Sequence, residues 1–225
     1  QQLQEEYNAG DMALWFYIEG FFWGPRKLLG ITSHLLAFYD QPDLLKEINE
    51  DILAYYEKIL PEIFAVATPD VLLISEDLSY NHGPMLSEEL FDLTMAPYYE
   101  KLTALLHRYR IKVLVDSDGD VMPIIPWLIR CGVDGLGPLE RMAHVDVAKI
   151  RELYPRLILL GGFDKTVMGK GEAAMRAEFE RLLPVIASGG FLVMPDHQTP
   201  PDVSVELYLL FHRLFDEYCQ KALGL

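Results

Sequence analysis

Cysteine is scarce in this chain, and its scarcity restricts both redox and metal chemistry. Only Cys131 and Cys219 occur among 225 residues. Two thiols are too few for a disulfide scaffold or for a cysteine-rich zinc site. The chain has no C-x-x-C pair, and neither cysteine has the setting of an activated thiol nucleophile. We therefore expect free thiols in a reducing compartment and a cytoplasmic location.

Basic residues and long apolar runs are also in short supply. The chain carries 19 Lys and Arg against 34 Asp and Glu, a formal net charge of −15. Phosphate contacts need clustered cations, so neither nucleic acid nor an anionic membrane surface is expected as a partner. The longest apolar stretch, Met12–Trp23, is interrupted by Glu19 and is too short to span a bilayer. With 51% hydrophobic residues, the chain is nevertheless able to form a sizeable folded core.

Several motifs that define common enzyme classes are missing. The sequence contains no G-x-S-x-G nucleophile elbow, no Walker A loop, no H-E-x-x-H and no G-x-G-x-x-G. These absences argue against a serine hydrolase, a P-loop nucleotidase, a zinc peptidase and a dinucleotide-binding domain. No Ser/Gly linker or low-complexity tract divides the chain, so residues 1–225 are predicted to form a single domain.

Short apolar runs alternate with longer segments of helical periodicity. The runs are continuous rather than alternating, as in strands that are buried on both faces. They are Ala13–Ile18, Val71–Ser75, Lys112–Val115, Val133–Gly137, Leu157–Gly161 and Phe191–Met194. The helical segments are Pro42–Val66, Ser87–Tyr109, Met122–Arg130, Asp146–Tyr154, Glu172–Ala187 and Asp202–Ala222.

This alternation predicts an α/β fold with a parallel sheet and right-handed crossovers. A closed barrel and an open doubly wound sheet are both compatible with it, although the missing dinucleotide motif weakens the second. A closed (β/α)8 barrel needs eight strands, and six are predicted. Ser87 is expected to cap a helix, Pro61 and Pro97 to kink or divide helices, and Asp120 and Asp146 to cap or hold turns.

Polar residues follow almost every predicted strand. In parallel α/β folds the carboxyl ends of the strands carry the functional site, so these residues are the candidates. In chain order they are Glu19, Arg26, Glu76, Asp77, Tyr80, His82, Asp116, Ser117, Asp118, Asp120, Glu140, Asp164, Lys165, Asp196 and His197.

Two of these strand ends have specific chemistry. Asp116 and Asp118 are two residues apart, so their carboxylates are expected on one side. Such a pair either raises the pKa of one carboxyl group or binds a cation. An Asx turn at Asp118–Gly119 has comparable weight. His197 follows an apolar strand and is suited to proton transfer near neutral pH. A hydrogen-bonded loop histidine is the alternative for that residue.

Four segments together resemble the uroporphyrinogen decarboxylase superfamily. They are Glu76–Pro84, Cys131–Glu140, Leu160–Lys165 and Met194–His197, in that order, within a similarity that extends from about Trp15 to Phe215. The superfamily includes uroporphyrinogen decarboxylase and the corrinoid-linked methyltransferases, both (β/α)8 barrels of the TIM-barrel type. The resemblance implies a partial barrel that lacks the first one or two β/α units, in agreement with the six predicted strands.

The leading activity implied by the resemblance is that of a decarboxylase, a lyase acting on a tetrapyrrole of porphyrin biosynthesis or a related small molecule. It requires no cofactor. His197 aligns with the late histidine of the family and is the expected proton carrier. The other expected catalytic residues are Asp116, Asp118 and Glu76, and the expected substrate contacts are Arg26, Asp77, Tyr80, Glu140 and Asp164.

The alternative is a methyltransferase that works with a corrinoid protein. The thiol methyltransferases carry a His-x-Cys zinc pair where this chain has Asp116-Ser117-Asp118. A divalent metal would then be held by oxygen ligands from Glu76, Asp116, Asp118 and Glu140, or these acids would protonate a leaving group. A non-catalytic binding barrel ranks third. An incomplete barrel exposes strand edges, so a further segment or a homodimer is expected to cover them.

Overall fold

The computed structural model describes residues 6–7, 9–10 and 12–225. Contacts divide the chain into two compact units. The first comprises residues 1–78, 84–117 and 123–134, and the second comprises residues 79–83, 118–122 and 135–225. The organisation of residues 1–225 as a single domain stays a prediction, and residues 1–5, 8 and 11 lie outside the described part.

Strands in the described residues are β1 (Trp15–Glu19), β2 (Val71–Ser75), β3 (Ser79–Tyr80), β4 (Gly83–Pro84), β5 (Lys112–Asp116), β6 (Gly135–Gly137), β7 (Ile158–Phe163) and β8 (Phe191–Pro195). All six predicted apolar runs form strands, with shifts of up to two residues at their ends. The short strands β3 and β4 were not predicted, because two-residue strands have no detectable periodicity.

Helices in the described residues are α1 (Trp23–Leu29), α2 (Ile31–Asp40), α3 (Pro42–Phe64), α4 (Glu88–Thr94), α5 (Ala96–Arg108), α6 (Ile125–Arg130), α7 (Val147–Leu153), α8 (Glu172–Ala187) and α9 (Val205–Leu223). Short 3₁₀ helices span Met122–Ile124, Arg141–Ala143 and Lys165–Lys170. Every predicted helical segment is therefore helical over most of its length.

Helix boundaries follow the proline and capping signals only in part. Pro97 lies in the first turn of α5, where the segment predicted as Ser87–Tyr109 divides into α4 and α5. Ser87 caps α4, since its hydroxyl accepts the Leu90 N–H at 3.3 Å. Pro61 does not divide α3, because it lies in the last turn of that helix. Helices α1 and α2 were missed, since Gly30 separates two segments that are each too short for a clear period.

The first unit contains the parallel strands β1, β2 and β5. Glu19 is opposite Ser75, and Ser75 is opposite Asp116, so the carboxyl ends of the three strands are level. Helix α3 packs against β1 through the Phe16 and Phe64 rings, whose centroids are 6.4 Å apart. Polar residues that follow these strands are consequently brought to one edge of this sheet.

The second unit contains the parallel strands β6, β7 and β8. Leu136 is opposite Leu159, and Phe163 is opposite Pro195. Phe163 also contacts Phe179 of α8, with ring centroids 4.7 Å apart, and Phe179 stacks on Tyr218 of α9 at 5.1 Å. Burial of each such ring contributes about 1.5–3 kcal/mol. This aromatic core fixes α8 and α9 to β7 and leaves the strand ends free to carry polar loops.

No helix in the described part of the chain combines the length and the apolar character needed to cross a lipid bilayer.

Candidate functional site

Three side chains in the second unit converge at the ends of different loops. Asp118, Glu140 and His197 each offer one ligand atom, and these atoms all lie within 4.8 Å of one another. His197 Nε2 is 3.4 Å from Asp118 Oδ2. Among the described residues, this is the one group of three or more His, Cys, Asp or Glu side chains with such convergence. We call these three residues the ligand cluster.

Asp118 is placed by a tight turn directly after β5. Gly119 has a φ of +82°, and a Cβ at this position would lie 2.5 Å from the backbone carbonyl carbon of Tyr80. The next residue, Asp120, donates its N–H to the Tyr80 carbonyl at 2.9 Å. Asp120 also accepts the Met122 N–H at 3.1 Å, which confirms its predicted capping role. The turn therefore depends on glycine, because only glycine combines this φ with such close packing.

Glu140 is held by two donors from neighbouring loops. Its Oε2 accepts the Gly119 N–H at 2.8 Å, and the Lys165 Nζ lies 3.4 Å from its Oε1. The Glu140 side chain is 16% exposed, which leaves it accessible from one side. The bond from Gly119 joins Glu140 directly to the turn that carries Asp118. Two of the three ligand-cluster residues are thus fixed relative to each other by a backbone hydrogen bond.

Asp196 ties together the loops that follow β6, β7 and β8. It is fully buried, and its Oδ2 accepts the Arg141 N–H at 2.8 Å. Its Oδ1 accepts the Lys165 N–H at 3.1 Å. Burial raises the pKa of Asp196 above its usual range, and the two backbone donors oppose that shift. Because Arg141 follows Glu140 and Asp196 precedes His197 in the chain, this carboxylate fixes the positions of two ligand-cluster residues.

Two expected substrate contacts of the second unit, Asp164 and Tyr80, make local contacts in the structure, and their roles toward a substrate stay predictions. Asp164 Oδ1 accepts the Thr166 N–H at 2.9 Å and the Thr166 Oγ1–H at 2.6 Å, so Asp164 caps the 3₁₀ helix that begins at Lys165. Tyr80 is half-exposed, and its ring meets that of His82 edge-on at 5.8 Å. Its carbonyl supports the turn at Gly119. Asp146 caps α7 by accepting the Ala148 N–H at 3.0 Å, as predicted.

Glu76 is a buried acceptor in the first unit. Its carboxylate accepts the N–H groups of Phe21, Phe22 and Trp23 at 2.9, 2.7 and 3.0 Å, and it also accepts the Tyr99 hydroxyl. Burial raises the pKa of Glu76 to about 7, while these donors oppose the shift. Glu76 thus fixes the first turn of α1, and its oxygens are fully engaged within this unit.

The remaining candidates of the first unit are also engaged locally. Asp116 accepts the hydroxyl hydrogen of Tyr17, and burial, followed by this bond, raises the pKa of Tyr17 to about 12. Arg26 lies over the Trp23 ring with its guanidinium carbon 4.9 Å from the ring centroid. Asp77 has a φ of +47° directly after β2, and its N–H is 3.4 Å from the Asp116 carbonyl.

The ligand cluster overlaps only in part with the predicted metal-ligand set, and that set stays a prediction. Asp118 and Glu140 belong to the ligand cluster, whereas Glu76 and Asp116 do not. The third ligand-cluster residue is His197, whose predicted role is proton transfer. Glu76 is not part of the ligand cluster because its carboxylate is buried in the first unit, where backbone N–H donors stabilise it.

Four residues to which the sequence assigned no specific role contact or position the predicted site residues. Lys165 and Asp196 follow predicted strands, but the sequence assigns them no contact, and it assigns none to Tyr17 and Tyr99. The position of Asp196 at a strand end, directly before His197, is the one local signal that indicates it. The tyrosines contact acids that are 99 and 23 residues away in the chain, a separation that no local pattern reveals.

The ligand cluster combines two carboxylates with one imidazole. Such a mixed oxygen and nitrogen set suits a divalent cation of intermediate softness, such as zinc, and three protein ligands are the usual number at a catalytic zinc. His197 and Asp118 are 34% and 40% exposed at the side chain, so the cluster is open to solvent on one side. It is therefore able to accept a cation together with a further ligand.

Fifteen chains of solved structures match this chain, and we describe one of them. It is a methyltransferase from Methanosarcina mazei, with a TM-score of 0.66 and 18% sequence identity, and the match covers 95% of this chain. The chain spans 61% of the length of that protein. The parallel strands and alternating helices are those of an incomplete β/α barrel of the TIM-barrel type, with six parallel strands in the described residues.

Family membership rests on a match over most of the chain. Comparison with curated proteins gives no match. The family model described as uroporphyrinogen decarboxylase (URO-D) matches residues 28–218, which include Asp118, Glu140 and His197. The chain belongs to the uroporphyrinogen decarboxylase (URO-D) family.

Proposed function

We propose that this protein is a divalent-metal-dependent enzyme of its family that takes part in methyl transfer with a corrinoid protein as partner. The observation that carries the proposal is the convergence of Asp118, Glu140 and His197, whose ligand atoms lie within 4.8 Å of one another. The decarboxylase implied by the resemblance is expected to need no metal, whereas a divalent cation near the leaving group of a methyl donor would activate that donor.

The donor set fits a metal on chemical grounds. Asp118 and Glu140 are carboxylates from different loops, and His197 supplies an imidazole nitrogen. Like charges placed this close repel each other, so a cation between them stabilises the arrangement. A bound divalent cation would supply Lewis acidity toward an oxygen, nitrogen or sulfur atom of the methyl donor. The two carboxylates together cancel the charge of such a cation, which favours a neutral donor as the further ligand.

The chain's own residues define what happens around the metal. Gly119 orients the Glu140 carboxylate. Asp196 accepts the N–H groups of Arg141 and Lys165 and so fixes the loops that carry these two residues. This support limits the motion of the ligands, which is what a catalytic metal site requires. The methyl acceptor is expected on the partner, since no side chain of the ligand cluster is suited to hold a methyl group as a stable intermediate.

Decarboxylation is the second candidate, and the description of the matching family model supports it. In that mechanism His197 donates a proton to the carbon left after carbon dioxide departs, and Arg26 contacts the anionic substrate. The geometry gives this candidate less support. His197 is paired with Asp118 at 3.4 Å, and the Arg26 guanidinium is stacked on Trp23 with its Nη1 buried.

Metal binding by the purified chain tests the proposal. After treatment with a chelator and dialysis, we expect the protein to bind about one equivalent of Zn²⁺ or Co²⁺, measured by competition with a chromophoric chelator. Asp118→Asn and His197→Gln each remove one ligand, so each is expected to weaken binding by about a hundredfold or more, beyond the loss caused by an outer-shell change.

Matched variants control for charge and folding. Asp216→Asn and His212→Gln make the same chemical changes on exposed positions of α9 and are expected to leave the affinity unchanged. Equal weakening by both pairs of variants would contradict the proposal. If the wild-type protein binds no metal and releases carbon dioxide from uroporphyrinogen, the decarboxylase is correct. If it binds no metal and releases no carbon dioxide from uroporphyrinogen, a binding role replaces both enzymatic candidates.

A further inference from the structure

Lys165 lies between two carboxylates at the edge of the ligand cluster. Its Nζ is 3.4 Å from Glu140 Oε1 and 3.9 Å from Asp196 Oδ1. The Lys165 side chain is only 18% exposed, so its charge is poorly screened by solvent. Its own backbone N–H also binds Asp196 at 3.1 Å, which anchors the residue at its base. The ammonium group is thus held in place at one ligand of the cluster.

The two carboxylates around Lys165 differ in their surroundings. Asp196 is fully buried and accepts two backbone N–H groups, so its position is fixed. Glu140 is partly exposed and belongs to the ligand cluster. Because lysine has a flexible stem and rotatable donors, its ammonium is able to move between acceptors less than 4 Å away. A divalent cation that binds Glu140 would repel the ammonium toward Asp196.

We propose that Lys165 is an internal counter-ion of the ligand cluster, which competes with a divalent cation for Glu140 and thereby sets the affinity of the site. This inference rests on the proposed function, since it concerns the same metal site. Lys165 touches neither metal nor substrate in this role and acts through Glu140. Metal entry is accompanied by transfer of the ammonium contact from Glu140 to Asp196, with no covalent change.

Substitution of Lys165 tests the competition. Lys165→Met removes the charge and keeps the length of the side chain. We expect it to tighten Co²⁺ and Zn²⁺ binding about tenfold, because a positive charge a few ångströms from the cation is removed. Lys165→Arg keeps the charge and is expected to bind both metals as the wild type does. The visible absorption band of bound Co²⁺ should keep its shape in all three proteins, since the ligands are unchanged.

Lys170→Met provides the matched control. Lys170 is exposed at the end of the same 3₁₀ helix, so its substitution changes the net charge equally at a distance from the cluster. It is expected to leave the affinity unchanged. Unchanged or weaker binding by Lys165→Met, or equal tightening by Lys170→Met, would overturn the inference while leaving wild-type metal binding intact. Absence of binding in the wild type and in every variant would instead overturn the proposed function, and the inference with it.

Discussion

Glu76 shows how a single buried acid organises a strand end. Its carboxylate accepts the backbone N–H groups of Phe21, Phe22 and Trp23 at the start of α1. These donors would otherwise lack an intrahelical partner, so Glu76 acts as a cap supplied by a distant residue. Gly20 is required beside it, because a Cβ there would lie 2.1 Å from the Glu76 carboxyl carbon. Glu76 therefore has a structural role in the first unit, and its expected catalytic role stays a prediction.

The raised pKa of Glu76 predicts a pH dependence of stability. The pKa rises from an ordinary 4.5 to about 7 on folding, so the folded protein binds the proton more tightly than the unfolded chain. Its contribution is complete below pH 4.5 and is lost as pH rises through about 7. We expect a loss of roughly 3 kcal/mol in the free energy of unfolding across this range, measured by urea unfolding at several pH values.

Comparison with Glu76→Gln isolates this effect. The variant cannot titrate at residue 76, so its stability should lack this component. His34 also titrates in this pH range. Burial lowers its pKa to about 4, so its contribution to the free energy of unfolding is lost as pH falls below 6.5. The effect of His34 on stability is therefore opposite in sign to that of Glu76. It is the same in the wild type and in Glu76→Gln, so it cancels when the stabilities of the two proteins are subtracted. If the difference between wild type and variant does not change with pH, Glu76 does not titrate as described.

The turn after β5 is the element on which the ligand cluster depends. Gly119→Ala is expected to destabilise the protein by more than about 2 kcal/mol, because the backbone φ of +82° and the contact at 2.5 Å with Tyr80 both exclude a Cβ. Gly189→Ala is the matched control, since Gly189 has a φ of +74° and no described atom beyond its chain neighbours lies within 4 Å of a Cβ added there. It should cost about 1 kcal/mol, the effect of the φ alone. Equal costs in thermal or urea unfolding would show that the contact with Tyr80 is unimportant.

Elements that sequence reasoning recovered are those with a strong local signal. Runs such as Val71–Ser75 are short, apolar and rich in β-branched residues, and a parallel strand buried on both faces produces this pattern. The helices α1 and α2 are seven and ten residues long, and the Gly30 between them interrupts their periodicity. Local signals are averaged over about three helical turns, so such short helices are difficult to detect.

The sequence predicted that the candidate site lies at the ends of strands, but it did not predict which strand-end residues converge there. Asp118, Glu140 and His197 were all identified from their positions after strands. The sequence did not indicate that the Glu76 carboxylate would accept hydrogen bonds from backbone N–H groups, because the burial of Glu76 depends on the packing of Tyr99 and α1. The contacts of Lys165 and Asp196 were not predictable for the same reason, since they join loops that are 25 to 55 residues apart. Tertiary contacts between distant loops produce no periodic pattern in the amino-acid sequence.

The charge of the whole molecule leads to a prediction about salt. A formal net charge of −15 in 225 residues favours expansion through repulsion among the acids. Raising NaCl from about 20 to 200 mM at pH 7 shortens the range of that repulsion and is expected to raise the thermal unfolding midpoint by a few degrees. Exposed ion pairs such as those of Arg130 with Glu88 and Asp92 are weakened by salt, but each contributes little.

Repeating the titration near the isoelectric point separates the two effects. The sequence pI is near 4.7, where the net charge vanishes and the repulsive component is lost. The rise in the thermal unfolding midpoint with NaCl should therefore shrink or reverse at that pH. A midpoint that falls with salt at pH 7 would mean that attractive pairs outweigh net repulsion. For the corrinoid protein proposed above as partner, the same excess of acid predicts a neutral or basic contact face, since a strongly acidic face would be repelled at low salt.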